Sequence, residues 1–275
     1  YRYEASGQLF GMMRVRGFTQ NDSHIYCTVD QAVEEFIQVM KLHEYYYKSL
    51  GITEYHLELA LRDPKNTKKY HGDDKMWNLA EDLMRKAVAK TNIPMIEQLG
   101  NAAFYGPKID FIVKSSIGRE FAVSTNQIDL YMGSRFKLKY IDQGGKEQTP
   151  VIIHRAPLGS HERFIGFLIE HYAGAFPVWL APIQVMIIPI SEKYLDYAQK
   201  IKETLLLRSI RVKLDDGNET MQGKIRAATL QKTPYMVILG EREQKNNNLS
   251  VRTRKGLDLR DQDIAQFTDQ IIKEI

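Results

Sequence analysis

A change in the pattern of predicted elements at residues 176–182 places the strongest constraint on the fold of this chain. The segment Phe176-Pro-Val-Trp-Leu-Ala-Pro182 has a proline near each end, and proline interrupts regular structure. Before this segment, predicted strands are joined mostly by hairpins, whereas after it strands and helices alternate. We therefore predict two domains, residues 1–180 and 181–275: an α+β core built on an antiparallel sheet, followed by a smaller α/β domain with a mixed sheet.

Composition limits the classes of protein to which the chain can belong. The 275 residues exceed one average domain, and 43% hydrophobic with 26% charged residues is typical of a globular protein. No apolar run approaches the ~20 residues of a membrane helix, so we expect no membrane partner. A net charge of +4 permits a nucleic-acid partner without requiring one.

The cysteine count and the first residues indicate where the protein works. Cys27 is the only cysteine, which excludes an internal disulfide and fits a reducing compartment. The chain begins Tyr1-Arg-Tyr-Glu4, with no initiator Met and no basic or apolar leader. We therefore expect a cytoplasmic protein, of which this chain is an excised fragment.

Hydrophobic periodicity predicts the elements of both halves. In the first half we expect a hairpin at residues 1–27 and helices at 28–50 and 75–91. Four further strands are expected at 55–61, 109–114, 120–125 and 136–140. In the second half we expect four strands, at residues 184–189, 210–215, 235–239 and 249–253. We expect three helices there, at 192–207, 221–231 and 261–275. The first helix should begin with a capping box formed by Thr28 and Gln31.

The stretch His154-Arg-Ala-Pro-Leu-Gly-Ser-His-Glu-Arg163 predicts a strand–turn–helix corner. A proline and a glycine end the strand, and Ser160 stands where a helix N-cap would. The corner would bring a possible metal ligand, His154, and a cation, Arg163, to one spot. Taken alone, an ordinary corner with a solvated arginine explains the pattern equally well.

Arginines, carboxylates and glycines are concentrated in residues 1–27. Arg2 and Glu4 are two apart, so on a strand they would share one face. Arg14 and Phe18 follow at a spacing of four. Such a hairpin could offer guanidinium groups to phosphates and an aromatic plane to a base. A charged hairpin facing water is the alternative, although this dense alternation is an unusual way to build a mere surface.

Familiar phosphate-binding loops and nucleophile–base pairs are absent from the sequence. The nearest approach to a P-loop, Gly217 to Lys224, has the wrong spacing, and no G-x-G-x-x-G follows a strand. A nucleotide would therefore bind on the antiparallel sheet through arginines. The strand Thr125-Asn-Gln127-Ile-Asp129 places three polar side chains on one face, which is costly unless they are hydrogen-bonded.

A zinc site can be tested by strand geometry. His24 and Cys27 are three apart, so on a strand their side chains point to opposite faces and should not share a metal. His24 and His154 alone make an incomplete site, because zinc takes three or four protein ligands. From spacing, either a ligand is missing from this stretch or these are ordinary core or surface histidines.

Together these motifs resemble the threonyl-tRNA synthetase family of class II aminoacyl-tRNA synthetases, over essentially the whole chain. Two stretches are similar to the second and third class II motifs: Arg2-x-Glu4 with Arg14-x-x-x-Phe18-x-x-x-Asp22, and Gly159-Ser-x-Glu-Arg163. Four stretches are similar to threonine-type marks: Asp22-Ser-His24, Phe104-Tyr-Gly-Pro-Lys108, Thr125-x-Gln127-x-Asp129 and His154-Arg-Ala. The resemblance implies a class II catalytic core from the second motif onward, followed by an anticodon-binding domain.

The resemblance also implies a role for each matching position. The catalytic residues would be Arg2, Lys108 and Arg163. ATP would be bound by Arg2, Glu4, Arg14, Phe18, Ser160 and Arg163, and threonine by Gln20, Asp22, Tyr105 and Gln127. His24 and His154 would be two zinc ligands, the third family ligand being a cysteine upstream of the second motif. The anticodon would be contacted by Asn218, Glu243 and Arg252.

The implied activity is that of a threonine–tRNA ligase, with Zn²⁺ and ATP-bound Mg²⁺ as cofactors. ATP, threonine and tRNA(Thr) would be its partners, and the full-length protein would be a homodimer. The chain departs from the family pattern at Ala122, where glutamine is frequent, and it lacks the first class II motif and the N-terminal editing domains. Two alternatives stay open: a class II synthetase of the prolyl or histidyl type, and a non-catalytic RNA-binding paralogue.

Overall fold

The computed structural model describes residues 1–114 and 118–275, and it divides into two compact units, Tyr1–Phe167 and Leu168–Ile275. The elements up to the end of the first unit are β1 (Ser23–Cys27), α1 (Val29–Ser49), β2 (Tyr55–Leu61), α2 (Asp74–Val88), β3 (Met95–Leu99), β4 (Lys108–Lys114), β5 (Glu120–Asp129), α3 (Met132–Arg135), β6 (Tyr140–Ile141), β7 (Glu147–Gln148), β8 (Val151–Ala156) and α4 (His161–His171). The division falls inside α4, so the proline-bounded segment 176–182 lies in the second unit.

Six strands of the first unit form one sheet in the order β1-β8-β5-β4-β2-β3. Every neighbouring pair is antiparallel except β2 and β3, so the predicted antiparallel core is confirmed. Helix α1 packs against this sheet and buries Phe36, Met40 and Tyr47 completely or nearly so. It begins with the expected capping box between Thr28 and Gln31. The sheet thus has one face covered by helix and one face left for the cleft described below.

The second unit contains a five-stranded mixed sheet in the order β10-β9-β11-β12-β13. Its elements are β9 (Val185–Pro189), a 3₁₀ turn (Glu192–Tyr194), α5 (Leu195–Leu206), β10 (Val212–Leu214), α6 (Met221–Leu230), β11 (Tyr235–Leu239), α7 (Glu241–Asn246), β12 (Leu249–Thr253), β13 (Asp258–Gln262) and α8 (Ile264–Lys273). Side chains alternate along β9 and β11: Ile187 and Val237 pack with α5 and α8, whereas Ile188 and Met236 pack with α6. The predicted α/β domain with a mixed sheet is therefore confirmed.

Three predicted elements are wrong. Residues 1–22 form turns and isolated bridges rather than the first strand of a hairpin, because Gly7 and Gly11 adopt positive φ. No strand forms at 136–140 apart from its last residue. The Asp129 side chain accepts hydrogen bonds from Tyr131 N and Met132 N ahead of α3; Phe136 is then the C-cap of α3 and Lys137 adopts φ +55°, which interrupts an extended strand. The last helix begins at Ile264 with Asp263 as N-cap, since β13 occupies the residues before it.

Besides α3 and β13, four short elements are absent from the prediction. Strand β3 is mostly exposed and shows no alternation, and β6, β7 and α7 are too short to give a periodic signal. Over the residues that the structure describes, no helix has the length and apolar character needed to cross a membrane.

Candidate active site

A cavity of about 350 Å³ lies on the sheet face opposite α1, in the first unit. Strands β4 and β5 form its floor, and the segment before β1 and the start of α4 form its walls. All six predicted ATP-binding residues line this cavity: Arg2, Glu4, Arg14, Phe18, Ser160 and Arg163. Lys108, Gln20 and Gln127 line it as well. The sequence motifs that are far apart in the chain therefore meet in one place.

A β-bulge in β5 shapes the floor of the cavity. Phe111 pairs with Ser124 and Ile112 with Ala122, so Val123 is an extra residue on β5. The bulge reverses the alternation of the strand. As a result Ala122 and Gln127 both contribute to the cavity, although they are an odd number of residues apart.

Positive charge dominates the walls of the cavity. The Arg14 guanidinium donates to Glu4 Oε2 at 3.0 and 3.1 Å, and the Arg2 guanidinium lies over the Phe18 ring, 4.7 Å from its centroid. Burial, followed by the charges of Arg2 and Arg14, lowers the pKa of Arg163. Among the described residues, neither Arg2 nor Arg163 forms an ion pair with a carboxylate. The cavity therefore holds uncompensated positive charge beside an aromatic plane, which suits a polyanion that carries a planar ring.

The predicted corner between β8 and α4 holds Arg163 in place. Gly159 has φ +53°, and a side chain there would overlap the Val123 carbonyl oxygen. Ser160 Oγ accepts a hydrogen bond from Arg163 N at 3.4 Å, as an N-cap does. The guanidinium of Arg163 donates to Met13 O at 2.9 Å. Backbone and side chain are thus both fixed.

Glu162, in the first turn of α4, ties the same corner to the segment before β1. Its carboxylate accepts hydrogen bonds from Thr19 N at 3.1 Å and from Ser160 Oγ at 3.0 Å. Hydrogen bonds from its own N–H and from Thr19 lower the pKa of Glu162. The carboxylate that suits the helix dipole therefore also joins the two walls of the cavity.

A second cavity, of about 230 Å³, is lined by His24, Tyr105 and His154. His24 and His154 are directly opposite on β1 and β8, and their ring centroids are 4.6 Å apart. Asp129 Oδ2 lies 3.0 Å from His154 Nε2 and orients that ring. Cys27 is buried on the other face of β1, as strand geometry predicts, and burial raises the pKa of its thiol to about 11.

The two imidazoles fit two positions of a tetrahedral zinc site. They are adjacent, and a carboxylate holds one of them, which is the usual arrangement around a metal-binding histidine. Across 1–114 and 118–275, however, no group of three His, Cys, Asp or Glu residues is arranged to hold a metal. The described residues therefore bring two imidazoles together and not a complete set of metal ligands.

The predicted threonine-binding residues lie around and between the two cavities. The Tyr105 hydroxyl donates to Gln127, which lies opposite both Lys108 and His154 in the sheet. Burial raises the pKa of Tyr105 to about 12, with smaller contributions from Asp129 and Asp22. Gln20 reaches the larger cavity, and Asp22 is exposed at the start of β1. Of the three polar side chains on this face of β5, Gln127 and Asp129 are hydrogen-bonded, whereas the buried Thr125 Oγ1 has no hydrogen-bond partner among the described residues.

Asp110 lines the larger cavity but is absent from the predicted set. Its carboxylate pairs with the ammonium group of Lys108, and its side chain is mostly buried. The signal was available, because residues two apart on a strand share a face.

His43 contacts the floor of the cavity from behind and is likewise absent from the predicted set. It lies in the apolar face of α1, between Met40 and Tyr47, where a histidine is unexpected.

The three predicted anticodon contacts occupy different settings in the second unit. Asn218 is exposed in the loop after β10 and lines a cavity of about 250 Å³. Arg252, on β12, is half-buried and lies 3.6 Å from Asp258. Glu243 is buried, and its oxygens accept hydrogen bonds from Gly240 N at 3.0 Å and from Ser250 Oγ at 2.8 Å. Burial alone would raise the pKa of Glu243, but these bonds and Arg242 lower it. Glu243 therefore caps α7.

Two family profiles match the chain. The profile described as tRNA synthetase class II core domain (G, H, P, S and T) matches residues 1–172. The profile described as anticodon binding domain matches residues 184–274. The two matched ranges meet near the proline-bounded segment at which the pattern of elements changes.

Curated relatives named threonine–tRNA ligase are similar to the chain throughout. The one from Caldanaerobacter subterraneus subsp. tengcongensis is 48% identical over 275 residues, which is 100% of this chain and 42% of the relative. The one from Cytophaga hutchinsonii is 45% identical over 275 residues, again 100% of this chain, and 43% of the relative. The chain thus spans less than half the length of the curated relatives it matches.

The backbone is also similar to a solved structure. The crystal structure of the RNA binding domain of threonyl-tRNA synthetase from Cryptosporidium parvum Iowa II superimposes with a TM-score of 0.88 at 34% identity. The match covers 98% of this chain and 67% of that one.

Proposed function

The chain belongs to the class II aminoacyl-tRNA synthetases, within the threonyl-tRNA synthetase family, and on this premise we propose that it activates threonine with ATP and transfers it to tRNA(Thr). One observation carries the proposal: the cavity on the open face of the first sheet holds Arg2, Arg14 and Arg163 beside the Phe18 ring. Three guanidinium groups and an aromatic plane are what a nucleoside triphosphate requires from a site without a phosphate-binding loop.

In the proposed reaction ATP lies along this cavity. Arg2 binds the α-phosphate and Arg14 the γ-phosphate, while Phe18 and Arg163 flank the adenine and Glu4 meets its edge. The threonine carboxylate attacks the α-phosphorus, the bond to the β-phosphate oxygen breaks, and pyrophosphate leaves. The guanidinium groups and Lys108 stabilise the charge that develops, so no protein nucleophile is needed. Mg²⁺ bound with ATP would neutralise part of the triphosphate charge.

Transfer follows activation. A hydroxyl of the terminal tRNA ribose attacks the carbonyl carbon of the adenylate, the bond from that carbon to the phosphate oxygen breaks, and AMP leaves with the hydroxyl proton. Gln20, Asp22, Tyr105 and Gln127 would hold the threonine so that its carboxylate reaches the ATP cavity. Tyr105 and Gln127 are hydrogen-bonded to each other at the border of the two cavities, which supports this assignment.

His24 and His154 would hold zinc beside the threonine. When bound, zinc would act as a Lewis acid that takes the hydroxyl and amino groups of threonine. Valine has almost the same shape, and a pocket rejects such an isostere by only about 10²-fold through packing. A site that requires the hydroxyl group of the substrate therefore discriminates against valine better than a site that recognises shape alone. The adjacency of the two imidazoles supports this role.

The second unit would bind the anticodon of tRNA(Thr) through Asn218, Glu243 and Arg252. Asn218 and Arg252 have exposed polar groups that can reach a base, whereas Glu243 would act by holding α7. A cytoplasmic protein that is a homodimer at full length fits this activity.

Amino-acid-dependent exchange between ATP and labelled pyrophosphate tests the proposal. We expect exchange with threonine, little with valine, and none with proline or histidine. Arg163→Ala should abolish exchange and leave tRNA affinity nearly unchanged. Exchange that depends on proline or histidine would favour another class II synthetase, and tRNA binding without any exchange would favour a non-catalytic RNA-binding paralogue.

A further inference from the structure

A buried polar network lies on the α1 side of β5, directly behind the cavity. His43 on α1 has no exposed surface; its Nδ1 lies 3.1 Å from Ser124 Oγ and its Nε2 lies 2.7 Å from Asn126 Oδ1. The Tyr47 hydroxyl is hydrogen-bonded to the same Ser124 oxygen. The interface between β5 and α1 thus holds four hydrogen-bonded polar residues, two on each element, where apolar side chains would avoid the cost of desolvation.

One assignment of donors and acceptors satisfies the hydrogen bonds of this network. Burial lowers the pKa of His43 to about 3. The hydrogen bond with Asn126 raises this pKa, and the charge of Arg155 lowers it further. The imidazole is therefore neutral at physiological pH. Asn126 Oδ1 can only accept, so Nε2 carries the hydrogen and Nδ1 accepts from Ser124. Ser124 Oγ then accepts from Tyr47, and the network has no unused donor at its centre.

The network holds the strand at its bulge. Ser124 is one of the two residues that face Phe111 across the bulge, and the Phe111 ring is stacked on His43 with centroids 4.2 Å apart. A bulge can move along a strand by one residue, and every side chain between the old and new positions then changes face. Such a shift would turn cavity side chains toward α1. The Ser124 hydroxyl contacts both His43 and Tyr47 only in the observed register, so these hydrogen bonds prevent the shift.

The bulge in turn contacts the residues proposed to bind ATP. Ala122 O accepts a hydrogen bond from Arg163 Nη1 at 3.5 Å, and Val123 O lies so close to Gly159 that a Cβ there would overlap it. The bulge therefore lies between His43 on one face of the sheet and Arg163 on the other. A displacement of the bulge would move both the carbonyl that Arg163 contacts and the corner that presents it.

We propose that His43, Ser124 and Tyr47 are positioning residues that fix the bulge of β5 and thereby the location of Arg163 in the ATP cavity. The inference rests on the proposed function, because Arg163 matters to it as an ATP-binding residue. His43 and Tyr47 are not among the described residues that line the cavity; Ser124 is, but its hydroxyl is hydrogen-bonded to His43 and Tyr47 on the α1 side. Their effect is on the geometry of the adenine side of the cavity and not on the zinc side.

Ser124→Ala tests the network, because it removes the central hydroxyl and leaves His43 Nδ1 and Tyr47 without partners. We expect the KM for ATP in pyrophosphate exchange to rise about tenfold, while the KM for threonine changes less than about twofold. Hydrogen–deuterium exchange of the backbone of residues 120–125 should accelerate, and exchange of α2 should not. Tyr47→Phe leaves Ser124 and His43 paired, so a smaller effect in the same direction is expected if Ser124→Ala folds poorly.

Tyr45→Phe is the matched control, since Tyr45 is on the same helix but exposed, and its exchange kinetics should equal those of the wild type. The positioning role would be overturned if the KM for ATP were unchanged in Ser124→Ala. It would also be overturned if the KM for ATP and the KM for threonine rose equally, in proportion to the loss of folded protein. Absence of threonine-dependent exchange in the wild type would instead refute the proposed function, and the positioning role with it. Faster deuterium exchange at 120–125 in Ser124→Ala would then support only the structural link to the bulge.

Discussion

Among the described residues that line the cavity, Lys108 is the one lysine, and its position depends on Asp110. The two side chains are ion-paired on one face of β4, both partly buried, with Glu58 opposite Asp110 in the neighbouring strand. A carboxylate next to another carboxylate is unfavourable unless a cation lies between them. The pair thus fixes Lys108 and neutralises Asp110 at once.

Asp110→Asn should lower the kcat of threonine-dependent pyrophosphate exchange by about tenfold, because the lysine loses its fixed partner while the ATP arginines stay in place. The KM for ATP should change little. Asp110→Glu keeps the charge and should retain more activity. Asp82→Asn breaks an exposed ion pair with Lys86 and is the control, with no expected effect. A loss in Asp110→Asn that falls wholly on the KM for ATP would contradict this role.

Gly159→Ala should reduce both stability and exchange activity. The residue has φ +53°, and its Cβ would overlap the carbonyl oxygen of Val123. Gly145→Ala separates the two causes, since Gly145 has φ +75° but nothing within 4 Å of the added Cβ. The control should lose about 1–2 kcal/mol from the left-handed backbone alone. Thermal unfolding and pyrophosphate exchange would check this, and equal losses in both variants would show that the overlap has no consequence.

Among the elements, α1 has the clearest dependence on pH. The buried His43 stays neutral in the folded protein down to a pKa of about 3, while in the unfolded chain it takes up a proton below about pH 6.5. The unfolded state therefore binds more protons between these values. The free energy of unfolding should be unaffected by this group above pH 6.5 and should decrease as the pH falls below it, by at most about 1.4 kcal/mol per pH unit.

Urea unfolding of the wild type and of His43→Gln at pH 7.5, 6.0, 5.0 and 4.5 would measure this dependence. Glutamine does not titrate, so the carboxylates common to both proteins cancel in the comparison. We expect the stability of the wild type to fall more steeply than that of His43→Gln on acidification. Parallel curves would mean that the imidazole is protonated in the folded state as easily as in the unfolded one.

The prediction of elements succeeds where a local pattern is complete. Strands β2, β11 and β12 are predicted residue for residue, and α1 is predicted with its cap, because each segment contains apolar alternation, a short continuous apolar run or a capping box. The predicted strand at 136–140 is wrong because Phe136 ends α3 and Lys137 adopts a positive φ, and no apolar pattern within 136–140 reveals the helix that precedes it. Strand β3 is not predicted because it is stabilised by pairing with β2 and is too exposed to show a hydrophobic pattern.

At the scale of the whole molecule, the proposed ATP site and the proposed anticodon contacts lie in different units. Arg252→Ala should weaken tRNA binding and spare threonine-dependent exchange, the reverse of Arg163→Ala. If Arg252 contacts a phosphate, the slope of the logarithm of affinity against the logarithm of salt concentration should fall by about 1. Arg208→Ala, which breaks an exposed ion pair with Asp269 in the same unit, is the control. Unchanged tRNA affinity in Arg252→Ala would contradict the assignment.

The sequence alone indicated a change of architecture near residues 176–182, the sheet type on each side of it and, through the resemblance to a known family, most of the charged and aromatic residues around the cavity; the compact units divide earlier, inside α4. The predicted features follow from short-range periodicity, from prolines, and from motifs whose members lie within a few residues of each other. Tertiary structure decided that Asp110 holds Lys108, that His43 supports the bulge of β5, and that Glu243 caps α7. The strand order β1-β8-β5-β4-β2-β3 joins segments more than one hundred residues apart, and no local signal encodes which side chains then meet.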